Sequence, residues 1–179
     1  QFLELLHNWT AHLKSDVDFD DLPIPFRAVA TNLETGKTVI FNKGPLHLAI
    51  RASMAAPGMF APVEIDGQLL TDGGLVKNLP VDVAKQMGAD VIIAVNIGTP
   101  LLPRNQLSSL INVSQQMVNI LTEQNVEQQK ALLTSDDILI EPNLGDISFV
   151  DFARQKEAAE IGRKAALAIS TKLQTYSVS

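Results

Sequence analysis

Cysteine is absent from the 179 residues. That excludes disulfides, thiolate catalysis and Cys-ligated zinc. It does not choose a compartment, since oxidising and reducing surroundings suit such a chain equally. Positive charge is scarce as well. Fourteen Lys and Arg stand against 20 Asp and Glu, for a net charge of -6. With no basic stripe anywhere, a nucleic-acid surface is excluded. No apolar run approaches the ~20 residues that span a bilayer, and no signal peptide is recognisable. A Gly-x-Ser-x-Gly is missing, and with it the strained elbow that exposes a nucleophilic serine. Neither a Gly-x-Gly-x-x-Gly nor a phosphate loop occurs, which removes a nucleotide-binding reading.

What is present is globular: 46% of the residues are hydrophobic and 19% charged. The length suits one domain with a core of its own, and we take residues 1–179 as a single domain. The chain opens at Gln1, and Phe2-Leu3-Glu4-Leu5-Leu6 reads as the middle of a helix, so we expect a piece of a longer polypeptide. The apolar spacing predicts helices over Phe2 to Leu13, Pro45 to Met54, Val81 to Met87, Leu107 to Leu133 and Phe149 to Leu173. Strands are predicted over Pro25 to Leu33 and Thr38 to Asn42, joined across Glu34-Thr35-Gly36-Lys37. Val63-Glu64-Ile65 and Gln68-Leu69-Leu70 flank Asp66-Gly67, a type I′ hairpin signal. The continuous β-branched run Val91 to Ile97 reads as a strand buried on both faces, which implies a parallel sheet covered by helices. Asp137 to Glu141 is a further short strand, and Gln174 to Ser179 a polar tail. The acidic loop Asp16 to Asp21 lacks the glycine turn and terminal Glu of a calcium loop, and reads as a solvated connection. Strands alternating with helices point to a layered α/β domain.

Asp72 is the residue with chemical promise. It follows a short apolar run and precedes Gly73 and Gly74. A carboxylate at a strand end sits at the rim of the sheet, where ligands bind in open α/β folds. The paired glycines would let the backbone take positive φ and let another segment approach closely. On pattern alone the same residues fit a plain tight turn, like Asp66-Gly67.

The wider pattern favours chemistry. Ser53-Met54-Ala55-Ala56-Pro57-Gly58-Met59-Phe60, then Asp72-Gly73-Gly74, then Asn78 and Pro80, resemble the patatin-like phospholipase family in order and spacing. The resemblance implies an α/β layered domain with a mostly parallel central sheet flanked by helices, here without its N-terminal portion. It implies a lipid acyl hydrolase of phospholipase A or lysophospholipase type, with a Ser–Asp dyad in which Asp72 is the base. Ser53 has no glycine flanks and is read as a structural residue of the signature, like Pro57, Gly73, Gly74, Asn78 and Pro80. Met54, Met59 and Phe60 are candidates for the acyl-chain pocket. The nucleophilic serine is expected in a segment upstream, so this stretch alone is expected to be inactive. His7, His12 and His47 all precede Asp72 and are assigned to structure or surface.

No metal and no cofactor is expected. The expected partners are a phospholipid or lysophospholipid at a membrane surface and the N-terminal segment of the same domain; no nucleic acid is expected, and an oligomer is left open. Gly98 to Gly145 resembles the bacterial subgroup joined to an outer-membrane barrel, which implies a periplasmic, outer-membrane-associated or secreted protein, with the cytoplasm as the alternative. The competing reading is a non-catalytic lipid-binding or assembly module that kept the fold.

Overall fold

Two hairpin turns decide the main sheet. Asp66 and Gly67 take φ of 51° and 71°, the pair of positive values that a type I′ turn requires. They join β5 (Val63–Ile65) to β6 (Gln68–Asp72). Asn32 accepts the N–H groups of Glu34 and Thr35 on its Oδ1, at 2.9 and 3.0 Å, and so starts the turn between β2 (Ala28–Asn32) and β3 (Thr38–Phe41). The four strands run in the order β3-β2-β6-β5, each pair antiparallel, in this computed structural model. It describes residues 2–98, 100–148 and 151–176.

Strand β2 is central and buried along its whole length. Helix α2 (Leu46–Ser53) lies across it. Small residues make the approach close: Ala30 and Ala52 meet Leu70 in one cluster, and Ala28 and Ala49 meet Phe19 in another. Short β1 (Val17–Asp18) and β4 (Lys43–Gly44) pair beside Phe19, and α1 (Phe2–Thr10) packs on α2. After β6 come α3 (Gly74–Lys77) and α4 (Val81–Gln86), the latter ending ahead of Gly88 at φ 87°.

Only one parallel strand pair is present among the described residues. Strand β7 (Ile93–Val95) and β8 (Ile138–Ile140) pair in parallel, linked by the long helix α5 (Leu110–Lys130). Ser109 caps α5, its Oγ accepting the Asn112 N–H at 3.1 Å. Leu79, Val81, Ile92, Ala94 and Val126 form the core of this layer. Helices α6 (Gln155–Ala168) and α7 (Ser170–Gln174) follow.

The layered α/β class is as expected, and two details are corrected. The larger sheet is antiparallel: two hairpins, β2–β3 and β5–β6, meet through β2 and β6 after the long connection that carries α2, and β7–β8 is the one parallel pair among the described residues. The run Val91 to Ile97 is not buried on both faces. Ile92, Ala94 and Asn96 are buried, while Ile93, Val95 and Ile97 are more than half exposed. Helix α5 covers one face through Val126, and no described element covers the other. The start of the helix predicted over Phe149 to Leu173 and the end of the polar tail fall on residues 149–150 and 177–179, outside the described residues.

Candidate active site

Asp72 ends β6 opposite Ala30 of β2. Two contacts fix its backbone and one its carboxylate. Its N–H donates to the Ala55 carbonyl at 3.2 Å. The same carbonyl accepts the Thr71 hydroxyl at 2.7 Å. The Thr31 hydroxyl donates to the Asp72 carbonyl at 2.8 Å. Thr31 and Thr71 face each other across the sheet and are both buried. The Gly74 N–H then donates to Asp72 Oδ1 at 2.7 Å. Among the described residues Oδ2 accepts no hydrogen bond. Burial pushes the carboxyl above the ordinary carboxylate range, and the single Gly74 N–H pulls it back only in part.

The glycines serve space, not positive φ, which corrects the expectation above. Gly73 sits at φ -66° and ψ -23°, ordinary right-handed helical backbone. A Cβ there would overlap the Val29 carbonyl oxygen. At Gly74 a Cβ would lie 2.9 Å from Asn78 Oδ1 and 3.0 Å from Asp72 Oδ1. The corner therefore closes down on β2 and on its own carboxylate only because side chains are absent.

A cleft of about 370 Å³ opens over the corner, large enough for part of a lipid. Asp72, Gly73, Gly74, Asn78 and Pro80 line it, together with Ser53 and Met54 at the end of α2. Ser53 shares this cleft, yet no hydrogen bond joins its hydroxyl to Asp72 among the described residues. Met59 and Phe60 stand outside the cleft wall. The Arg51 guanidinium lies over the Phe60 ring, 5.0 Å from its centroid, and donates to the Ala61 carbonyl at 3.1 Å. Pro57 belongs to the same loop beyond α2. The two cations on the cleft are already engaged: Arg27 forks onto Asp20 with two bonds of 2.8 Å, and Lys77 pairs with Asp82. His7 and His47 meet edge to face at 4.9 Å between α1 and α2, away from the cleft. A second hollow, between α6 and α7, has almost wholly apolar walls and no carboxylate.

Thr31, Thr71 and Asn125 carry parts of this site that the sequence reading passed over. Thr31 falls on the strand predicted over Pro25 to Leu33 and Thr71 directly precedes Asp72, but the pairing that brings them together had no signal. Asn125 had none: its helix lies 51 positions from Gly74, the residue it holds.

Known proteins align with about half of the chain. An NTE family protein of Mycobacterium tuberculosis, uncharacterized, is 52% identical over 81 residues, which is 45% of this chain and 22% of that protein. Patatin-like phospholipase domain-containing protein 7 of Rattus norvegicus is 37% identical over 91 residues, 50% of this chain and 7% of its own length. Patatin-like phospholipase domain-containing protein 6 of Homo sapiens is 37% identical over 86 residues, 47% of this chain and 6% of its own. The chain thus spans about a fifth of the mycobacterial relative and under a tenth of the mammalian ones. No described helix is long and apolar enough to cross a membrane. Residues 4–85, the segment that builds the antiparallel sheet and the Asp72 corner, match the family of patatin-like phospholipases.

Proposed function

We propose that this chain is part of a lipid acyl hydrolase in which Asp72 is the general base of a Ser–Asp dyad. The observation that carries the reading is the Asp72 carboxylate itself. It lines a cleft, is held on one oxygen by one N–H, and leaves the other oxygen unclaimed among the described residues. An ordinary carboxylate is a weak base for a serine hydroxyl. Burial that raises its pKa makes it a better one, and rigid backbone anchoring supplies the alignment a dyad needs. The serine comes from a Gly-x-Ser-x-Gly elbow outside these 179 residues, since none occurs within them. Its hydroxyl proton passes to Asp72 as the serine oxygen attacks an ester carbonyl. The acyl-enzyme that forms is released by water as a fatty acid.

Phospholipid or lysophospholipid at a membrane surface is the substrate class we assign, with Met54, which lines the cleft beside Phe26 and Ile50, assigned to the acyl chain. The barrel-linked, periplasmic setting draws no support from the relatives named, which are mycobacterial and mammalian.

The test is a fluorophosphonate probe, which tags only activated serines, applied to the longest natural polypeptide containing this stretch. The expected result is one tagged serine outside residues 1–179, lost in Asp72→Asn. A tag on Ser53 would move the nucleophile into this chain. No tag on the folded protein would favour a non-catalytic lipid-binding module.

A further inference from the structure

Helix α5 lies in the half of the chain beyond the family match, yet it reaches the Asp72 corner. The side it turns inward is polar: Asn119, Thr122 and Asn125 are buried there beside Val126. Asn125 is 8% exposed. Its Nδ2 donates to the Gly74 carbonyl at 2.9 Å and to the Leu121 carbonyl at 3.1 Å. Its Oδ1 accepts the Asn78 N–H at 2.8 Å. The amide therefore grips both ends of α3, the single turn that follows Asp72.

Gly74 is the shared residue. Asn125 holds its carbonyl, and its own N–H holds Asp72 Oδ1 at 2.7 Å. A residue needed only to fill space at this depth would be apolar, as Val126 next to it is, because a buried amide must find partners for its N–H and C=O groups. One turn further on, Gln129 does a similar service for another helix: its Oε1 accepts the Asp82 N–H at 3.0 Å at the start of α4. Gln129 has no bond to the Asp72 corner, so the two side chains differ in the one respect that matters here.

We propose that Asn125 is a positioning residue for the Asp72 carboxylate, fixing Gly74 so that its N–H stays on Oδ1. The catalytic consequence rests on the reading of Asp72 as the base; the placement does not. The charged groups on the cleft are Arg27 and Lys77, paired with Asp20 and Asp82. Exchanging Asn125 or Gln129 for alanine introduces no charge beside Asp72.

The test follows the Asp72 side-chain carboxyl carbon and the Gly74 amide by NMR across pH, in the protein, in Asn125→Ala and in Gln129→Ala. Loss of the Gly74 hydrogen bond should raise the Asp72 midpoint by roughly half a pH unit in Asn125→Ala. The Gly74 amide should also stop reporting the Asp72 titration. Gln129→Ala should lower the melting temperature and leave both signals in place. An unmoved Asp72 midpoint in folded Asn125→Ala, or an equal move in Gln129→Ala, overturns the proposal. Should Asn125→Ala not fold, Asn125→Ser carries the same readout, and an unmoved midpoint there overturns it equally. Hydrolysis is not read, so this result stands apart from the fluorophosphonate experiment on Asp72 as base.

Discussion

The corner after β6 and the turn before β8 each withdraw an aspartate from water, and they treat it in opposite ways. Asp137, 7% exposed, accepts the Ile92 N–H at 2.8 Å on Oδ1. Its Oδ2 accepts the Thr134 N–H at 2.8 Å and the Thr134 hydroxyl at 3.1 Å. Those donors hold its carboxyl below the ordinary range, backbone hydrogen bonds outweighing burial. Asp72 has one donor, and burial wins. At Asp137 the donors outweigh burial, and at Asp72 burial outweighs the single donor. Asp137 is a fixed anion that ties β7 to β8. Asp72 is a carboxylate kept available.

The largest effect that sharpens this contrast is on rate. In the complete protein, Asp72→Asn should lower ester hydrolysis by more than about 100-fold, since only the base is lost. Asp137→Asn should leave the rate within a few-fold. Equal losses in the two variants would erase the distinction. Stability should show the reverse. Asp137→Ala leaves two N–H groups and a hydroxyl without an acceptor, and should cost about 2–4 kcal/mol in urea unfolding. Asp72→Asn should leave the protein folded and, at pH 7, more stable than its parent.

The pH dependence separates the two groups further. The folded value of Asp137 is lowered, so its contribution is present above the ordinary 3.8 and is lost as pH falls through the folded value. The folded value of Asp72 is raised, so its contribution is present below 3.8 and is lost as pH rises through the folded value. Urea unfolding at a series of pH values should therefore show the advantage of Asp72→Asn growing upward from about pH 4. The penalty of Asp137→Asn should shrink downward over acid pH. The smallest effect belongs to the bare face of β7: Ile93→Ser should change stability by no more than about 0.5 kcal/mol, as that side chain is 52% exposed.

The first half of the chain was legible because its signals are local. Asp66-Gly67 names its own turn, Gly88 marks the end of α4, and the apolar run before Asp72 is the strand the structure contains. Asp72 at the end of that strand was readable from the two glycines, though for a different reason than φ: the Val29 backbone occupies the room a side chain would need. The second half misled where periodicity and burial part company. Val91 to Ile97 looked buried on both faces, but a β-branched run says only that a strand forms, not that a layer lies over each side. In α5 the apolar residues Leu110, Ile111 and Met117 are exposed, and the inward side is built from Asn119, Thr122 and Asn125. No pattern in a single sequence announces that an asparagine will face a glycine carbonyl 51 positions away.

The contrast between the two aspartates is tested most directly by one experiment, a carbon-13 carboxyl titration of both in a single sample of the protein. The account predicts an Asp72 midpoint above 3.8 and an Asp137 midpoint below it. An Asp72 midpoint at or below that of Asp137 would contradict it, and would make Asp72 one more structural anion.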